Sequence, residues 1–318
     1  MRVLPGGVEE PDRTAGTDRT AGSEGQPRPT LGLVLGAGGV VGQAYQVGVL
    51  AALEREAHWD PRDADLIVGT SAGSAVGARL AAGFDLAAAA GPARAPLPVP
   101  AGAGVNMEEL MAAWAAAASG AMTPEAARIE LGRIALAAQT VPEDAFIGVF
   151  AEVGGHEWPE PFRCTAVDVL TGALRVWDRS AGVDLARAVA SSCSVSGIFP
   201  PITIGGARYM DGGMRSPLNA DLAAGHDAVI VVSCLALALP EGVSDPMFDA
   251  TARQLEAELA AVRDSGSALE VVAPGAEFLD ISGWGANLMN PALSADAYQA
   301  GVRQAAAEAE RLRPVWKA

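Results

Sequence analysis

The sequence has few of the residues that stabilise small secreted proteins or bind metals and nucleic acids. Its 318 residues include three cysteines and three histidines, and 38 acidic side chains outnumber 22 basic ones. The odd number and wide spacing of Cys164, Cys193 and Cys234 indicate neither a disulfide framework nor a metal site, and they fit a reducing cytoplasm. The net charge of −16 repels phosphate backbones and anionic bilayers, which argues against nucleic acid as a partner.

Long apolar segments and a secretory signal pattern are also missing. No apolar run reaches the roughly 20 residues that a membrane-spanning helix needs. Residues 1–29 have almost no large apolar side chains, so they are expected to form a disordered tail. Half of the whole chain is nevertheless apolar, and residues 30–318 are expected to bury one large core as a single domain.

Apolar runs alternate with helical patterns along this domain. Strands are predicted at residues 31–35, 66–68, 163–169, 174–177, 228–234 and 269–272. Helices are predicted at residues 43–56, 72–80, 107–118, 124–138, 184–191, 246–263 and 294–311. The Ala/Pro/Gly-rich residues 84–104 are typical of a surface connection. Strands separated by helices indicate an α/β/α sandwich with a largely parallel central sheet.

One short motif has the form of a catalytic serine turn. Gly69-Thr70-Ser71-Ala72-Gly73 matches G-x-S-x-G and lies between a predicted buried strand and a predicted helix, where this motif positions a nucleophile. Gly69 and Gly73 allow the strand and the helix to pass closely, and the helix N-terminus favours negative charge beside Ser71. This placement disfavours the simpler interpretation, a Gly/Ser loop without chemistry.

A serine nucleophile needs a base, and the histidines are poorly placed to supply one. In α/β-hydrolases the histidine follows the acid near the end of the chain, and several strands precede the serine. Here only two strands are predicted before Ser71, and no histidine follows His226. His226 precedes a strand in an Ala-Gly-His-Asp segment and is expected to be a solvated loop residue.

Two glycine-rich segments lie before and after the serine motif. The first, Gly36-Ala37-Gly38-Gly39-Val40-Val41-Gly42, joins a predicted strand to a helix and offers backbone N–H groups that can hold an oxyanion. The second, Tyr209-Met210-Asp211-Gly212-Gly213, ends a short apolar segment with a carboxylate. Its two glycines permit another backbone to approach. Alone, an Asp-Gly-Gly sequence usually marks only a turn.

In this order the three motifs resemble those of the patatin-like phospholipases, which use a Ser-Asp dyad without histidine. The resemblance extends to residues 42–54, 191–204 and 211–222, and more weakly to residues 285–291. It implies that residues 30–318 form a patatin-like phospholipase domain. It also implies that the protein hydrolyses carboxylic esters of phospholipids or other lipids, with no cofactor.

The resemblance assigns roles by position. Ser71 would be the nucleophile and Asp211 the base, and the N–H groups of Gly38 and Gly39, with Ala37 beside them, would hold the oxyanion. The Asp211 carboxylate would need a pKa raised by partial burial to act as a base. The glycines of the matching motifs are Gly36, Gly42, Gly69, Gly73, Gly212 and Gly213. No metal ligand is implied.

The glycine loop and the segment before the aspartate depart from the family pattern. Ala37 stands where the loop usually has its first glycine, and Val41 stands where it usually has a basic residue. Backbone donors survive both changes, but the positive charge is lost, which puts a preference for anionic head groups in doubt. Ser196 replaces a common proline, a change that affects loop rigidity more than chemistry.

Three alternatives stay open at this point. A dinucleotide-binding module is disfavoured because Val41 occupies the position of its third glycine, and Gly69-Thr70 replaces the acidic residue expected after its second strand. An acyltransferase would pass the same acyl group to an acceptor other than water. A catalytically silent lipid-binding domain would keep the fold without the chemistry. The sequence does not specify the ester class, the acyl-chain length or the oligomeric state.

An apolar stripe on a predicted helix suggests two roles. Met107, Leu110, Met111 and Trp114 have helical spacing, which is more typical of core packing than of a lid that receives lipid tails. The same holds for Trp284, Leu288 and Met289. Because the chain is acidic, transient contact with a membrane surface would rest on apolar insertion rather than on attraction of lysine side chains.

Overall fold

An eight-stranded mixed sheet forms the centre of the computed structural model, which describes residues 28–86 and 107–316. The strands are β1 (Leu31–Leu35), β2 (Leu66–Gly69), β3 (Phe162–Asp168), β4 (Leu174–Trp177), β5 (Ile202–Ile204), β6 (Ala207–Asp211), β7 (Ala228–Val232) and β8 (Ala268–Val272). The expected N-terminal tail lies outside the described residues except at its last positions, and so does most of the 84–104 connection.

The sheet order places five parallel strands side by side. β3, β2, β1, β7 and β8 are neighbours in that order and pair in parallel. Beyond β3, β6 pairs with it antiparallel and β5 pairs with β6, while β4 also pairs antiparallel with β3. The prediction of a largely parallel sheet is therefore confirmed.

Helices cover both faces of the sheet. They are α1 (Gly39–Ala57), α2 (Ala72–Ala81), α3 (Met107–Ala118), α4 (Pro124–Ala137), α5 (Glu143–Ile147), α6 (Leu185–Ser192), α7 (Pro246–Asp264), α8 (Ala276–Ser282) and α9 (Ser294–Trp316). The predicted α3 has the observed bounds, whereas α1 begins four residues earlier than predicted because the end of the glycine loop is already helical.

Alternation along the strands divides the core into two layers. Leu33 and Leu35 of β1 face the larger layer, which contains side chains of α1, α2, α6, α8 and α9. Val34 faces the opposite layer and packs with Leu255 and Leu259 of α7. Successive side chains of a strand point to opposite faces, so a strand buried on both sides must be apolar at every position. The three-layer α/β/α architecture is confirmed.

The stripe on α3 is divided between core and surface. Leu110 is buried in a small cluster with Leu131 of α4 and Val167 of β3. Met111 is exposed, and Trp114 is partly buried beside the same cluster. The expected core role is thus filled chiefly by Leu110.

The C-terminal helix α9 packs closely on α1 through two glycines. A Cβ atom on Gly48 would lie 2.2 Å from the Tyr298 carbonyl oxygen, and one on Gly301 would lie 2.3 Å from the Tyr45 carbonyl oxygen. The Tyr45 hydroxyl also donates a hydrogen bond of 2.8 Å to Gln304 Oε1. The two helix backbones therefore approach to a distance that no larger residue allows.

We expect Gly301→Ala to lower the free energy of unfolding by about 2–4 kcal/mol, because its methyl group must push two helix backbones apart. Gly148→Ala is the matched control. Gly148 has a right-handed helical backbone with φ −56°, and a Cβ there would meet nothing within 4 Å. Urea unfolding of both variants measures the difference, and equal stabilities would contradict the role given to this contact.

Candidate active site

Register in the sheet brings Ser71 and Asp211 to the same edge. Gly69, the last residue of β2, pairs with Cys164 of β3. Asp211, the last residue of β6, pairs with Ala166, two residues further along β3. Ser71 is likewise two residues beyond Gly69. The serine and the aspartate therefore lie at about the same level along β3, which separates β2 from β6.

Ser71 occupies a sharp turn between β2 and α2. Its backbone has φ 53° and ψ −114°, a conformation that a residue with a side chain rarely adopts. The Ser71 N–H donates to Ser192 Oγ at 3.0 Å, and its carbonyl accepts from Ser74 Oγ at 2.7 Å. The turn also requires Gly73, where a Cβ atom would lie 1.9 Å from the Leu35 carbonyl oxygen. These contacts hold Ser71 at the N-terminus of α2.

Asp211 is buried, and only one of its two carboxylate oxygens has a hydrogen bond within the described residues. One of its oxygens, Oδ1, accepts a 2.6 Å hydrogen bond from the Gly213 N–H. The other, Oδ2, has no hydrogen-bond partner among the described residues. Burial raises the Asp211 pKa to about 7, against the smaller lowering effects of the nearby Ser71 hydroxyl and the Gly213 N–H. An unpaired oxygen on a carboxyl of raised pKa is suited to accept a proton.

The glycine loop offers free N–H groups at the start of α1. The N–H groups of Gly38, Gly39 and Val40 have no acceptor among the described residues. Gly39 has φ 58°, and a Cβ there would lie 2.5 Å from the Leu288 carbonyl oxygen. The positive end of the α1 dipole lies at the same place, so this loop favours a negatively charged oxygen.

Ala37 differs from the two glycines that follow it. Its N–H donates a 2.7 Å hydrogen bond to the Pro217 carbonyl oxygen, so Ala37 lines the site without a free amide hydrogen. Val40, which the sequence did not single out, has the free N–H instead. Nothing in the sequence indicates this exchange, because Pro217 is distant along the chain.

The other motif glycines mark places where two segments touch. At each of them a Cβ atom would meet a neighbouring atom at or within 3.0 Å: Gly36 against Leu218, Gly42 against Cys234, Gly69 against Ser74, Gly212 against Thr165 and Gly213 against Asp211. A Cβ would meet backbone atoms within 3.0 Å at Gly69 and Gly212, so glycine is required there, whereas at Gly36, Gly42 and Gly213 the atoms within 3.0 Å belong to side chains.

A buried polar network connects the serine turn to the segment that follows Asp211. Thr70 Oγ1 accepts a 3.0 Å hydrogen bond from Asn219 Nδ2 and lies 2.9 Å from Thr165 Oγ1. The same Asn219 amide donates to the Ser216 carbonyl at 2.7 Å. All three side chains of the network are fully buried. Sequence reasoning missed the roles of Thr70, Thr165 and Asn219, although Thr70 lies within the serine motif and Asn219 lies within residues 211–222, which resemble the family.

Ser71 and Asp211 open onto a cavity of about 650 Å³. Gly38, Gly39 and Gly213 line it near these two residues, and most of the remaining lining is apolar. Among the described lining residues, Asp211 and Arg79 have the only charged side chains. A mostly apolar cavity with a few convergent polar groups is typical of a small-molecule or lipid site.

None of the three histidines lines this cavity. His58 caps the C-terminus of α1, and the His156 ring packs edge-on against Phe84. His226 lies near Gly32 and the Ala223 carbonyl, by the amino end of β7, whereas Ser71 follows the carboxyl end of β2. The described residues also contain no group of three or more His, Cys, Asp or Glu side chains that would hold a metal ion.

We expect Asp211→Asn to remove a pH-dependent loss of stability. The unfolded carboxyl has an ordinary pKa near 4, and the folded one has a pKa of about 7. Between these values the folded state holds a proton that the unfolded state has released, so the free energy of unfolding falls as the pH rises. The variant should therefore gain on the order of 4 kcal/mol relative to wild type between pH 4 and pH 8.

Urea unfolding across this pH range measures the gain. Asp144→Asn is the control, because its side chain is 96% exposed and should show no such trend. A constant difference between Asp211→Asn and wild type would contradict a raised pKa.

The chain matches known proteins at the level of family and structure. No curated protein sequence matches it. Among solved structures it is similar to VipD from Legionella pneumophila, with 13% identity and a TM-score of 0.40 over 90% of this chain and 67% of VipD. It is also similar to the type III effector protein ExoU, with 17% identity and a TM-score of 0.42 over 90% of this chain and 54% of ExoU. The family model for patatin-like phospholipases matches residues 33–224, more than half of the sequence. The chain therefore belongs to the patatin-like phospholipase family.

Proposed function

We propose that the protein hydrolyses carboxylic esters of lipids, with Ser71 as the nucleophile and Asp211 as the general base. Membership of the family supports hydrolysis of lipid esters in general. The observation that carries the finer proposal is the buried, unpaired Oδ2 of Asp211, a residue that lines the same cavity as Ser71 and whose pKa the Ser71 hydroxyl lowers.

Acylation begins when the Asp211 carboxylate accepts the Ser71 hydroxyl proton and Ser71 Oγ attacks the ester carbonyl carbon. The carbonyl electron pair moves onto oxygen, and the N–H groups of Gly38, Gly39 and Val40 stabilise the resulting oxyanion. When the intermediate collapses, the bond to the leaving alcohol breaks and Asp211 returns the proton to that alcohol oxygen.

Deacylation repeats these steps with water. Asp211 accepts a proton from the water, whose oxygen attacks the acyl carbon, and the proton then passes to Ser71 Oγ as the acid leaves. An ordinary carboxylate is a weak base for this task. Burial of Asp211, which raises its pKa to about 7, brings its basicity close to the working pH without a histidine.

The replacement at Val41 removes a charge from the neighbourhood of the oxyanion loop. The Val41 side chain is fully buried in the core, and its N–H donates to the Leu288 carbonyl at 3.1 Å. Stabilisation of the oxyanion would therefore depend on backbone donors alone, and neutral or zwitterionic esters suit the site better than anionic ones.

We expect Ser71→Ala and Asp211→Asn each to lower kcat/KM for p-nitrophenyl esters by at least about a thousandfold, because each removes one of two groups that act together. In the wild-type enzyme kcat/KM should rise with pH up to about pH 7 and then level off, since only ionised Asp211 accepts the proton. Steady-state hydrolysis of a short ester from pH 4 to pH 9 measures both effects.

Matched substitutions outside the cavity separate catalysis from general damage. Ser119→Ala and Asp144→Asn change the same residue types at exposed positions and should leave kcat/KM unchanged. Covalent labelling of wild type but not of Ser71→Ala by a fluorophosphonate would exclude a silent lipid-binding domain. Near-full activity in either dyad variant would overturn the proposed mechanism.

We further propose that the substrate enters from a lipid surface that contacts Trp284 and Met289. Trp284 is 47% exposed and Met289 is 37% exposed. Met289 and its neighbour Leu288 also line the cavity. An exposed tryptophan beside an apolar opening suits the interface between water and lipid. Among the described residues, no helix is long and apolar enough to cross a bilayer, so this contact would be peripheral.

Trp284→Asn should lower hydrolysis of esters held in zwitterionic vesicles by about tenfold, because less apolar area enters the lipid. Hydrolysis of a soluble short ester should stay unchanged. Asparagine suits the positive φ of 55° at this position. Leu170→Asn is the control, because Leu170 is 70% exposed in the turn after β3 and is not a lining residue. Equal loss on both substrates would contradict a surface role for Trp284.

A further inference from the structure

One face of α2 runs along the cavity away from the nucleophile. Ala72, Val76 and Arg79 all line it, and their spacing of four and three residues places them on a single helix face. On α1 the lining residues are Val40, Gln43, Ala44 and Val47, which again share one face. Both helices follow the carboxyl ends of adjacent parallel strands, so they run side by side and form two walls of a channel.

The depth of this channel follows from helix geometry. Arg79 comes eight residues after Ser71, which corresponds to about 12 Å along the α2 axis. Val47 comes nine residues after Gly38, which corresponds to about 13 Å along α1. The two walls therefore extend to similar depths. Phe146, Val149 and Phe150 also line the cavity and give it an apolar character that suits an acyl chain.

Arg79 ends the apolar face of α2 with a fixed charge. Its residue is 6% exposed, its Nε donates to Glu152, and its Nη1 donates to the Ala75 carbonyl at 3.1 Å. The Glu152 side chain is 32% exposed, so the ion pair connects the channel to the surface. If a methylene group of the acyl chain reached this ion pair, it would replace polar contacts of the buried guanidinium with an apolar one, which is unfavourable.

We propose that Arg79 limits the acyl chain that the channel accepts, so that the protein prefers medium-chain esters. This inference rests on the proposed hydrolase function. An extended chain advances about 1.2 Å per bond, since three backbone bonds of a peptide span at most about 3.6 Å. The Arg79 backbone lies about 12 Å beyond Ser71, but its Nη1 bonds to the Ala75 carbonyl, so the guanidinium lies back toward Ser71. An acyl chain therefore meets this charge after at most about ten carbons.

The test is the chain-length profile of kcat/KM for p-nitrophenyl esters from four to sixteen carbons. Wild type should be most active at about ten carbons or fewer and at least about tenfold less active at sixteen. Arg79→Met keeps the length of the side chain but removes its charge. It should raise the ratio of sixteen-carbon to eight-carbon activity by at least about tenfold, while activity on the four-carbon ester is retained.

A second variant tests the same channel from the opposite direction, including the case in which Arg79→Met fails to fold. Val76 lies five residues after Ser71, so Val76→Phe would block the channel at about 7.5 Å and should move the optimum to four to six carbons. Arg133→Met, at an exposed position of α4, makes the same replacement outside the cavity and should keep the wild-type profile.

The possible failures of this test are distinct. A flat profile in wild type, or an unchanged optimum in both cavity variants, would overturn the role of Arg79 and leave the hydrolase proposal standing. Folded wild-type protein that hydrolyses no ester of any length would overturn the hydrolase proposal, and this inference with it.

Discussion

The turn at Ser71 depends on the close contact between Gly73 and the Leu35 carbonyl at the end of β1. This contact lets α2 begin immediately after β2, close to the end of β1. A positive φ at a serine costs on the order of 1–3 kcal/mol. The hydrogen bonds of the Ser71 backbone with Ser192 and Ser74 offset part of that cost. The position of the hydroxyl therefore comes from packing around it rather than from any preference of serine itself.

Asp211 differs from Ser71, because hydrogen bonds offset only part of the free energy that burial of its carboxylate costs. A buried carboxylate is normally paired with a cation or satisfied by several donors. Here the Gly213 N–H donates to one oxygen and the Ser71 hydroxyl lies nearby, while the polar residues Thr70, Thr165 and Asn219 bond to one another instead. The network orders the segments around Asp211 but does not neutralise the charge of its carboxylate. The carboxylate can therefore still accept a proton.

The sequence predicts the frame of the site better than its details. The apolar runs of β1 and β2 predict that the glycine loop and Ser71 lie together, because both follow the carboxyl ends of neighbouring parallel strands. Asp211 ends β6, which runs antiparallel to β3, so its place in the same cavity was implied only by the family resemblance. The β5–β6 hairpin was not predicted, since β5 has only three residues and its turn consists of Gly205 and Gly206. Short strands have too few positions to show a period.

Details that depend on distant residues were also beyond the sequence. Which amides of the loop stay free is decided by the Pro217 carbonyl, which accepts the Ala37 N–H. The channel along α2 could not be predicted because its other walls come from α1 and residues 146–150, which are separate segments of the chain. Arg79 shares its helix face with Ala72 and Val76, but arginine is usually exposed, so the residue type gives no indication that it is buried.

The matched family region ends at residue 224, yet the remaining chain completes the fold. β7 pairs with the full length of β1, and α9 packs through Gly301 onto α1. Without residues 225–316, β1 would become an open sheet edge and the helix that follows the glycine loop would lose its outer support. The region that the family model matches is therefore smaller than the region that forms the sheet and its helices. The glycine loop and the C-terminal helix lie on opposite sides of the boundary at residue 224, yet α1 connects them by direct packing.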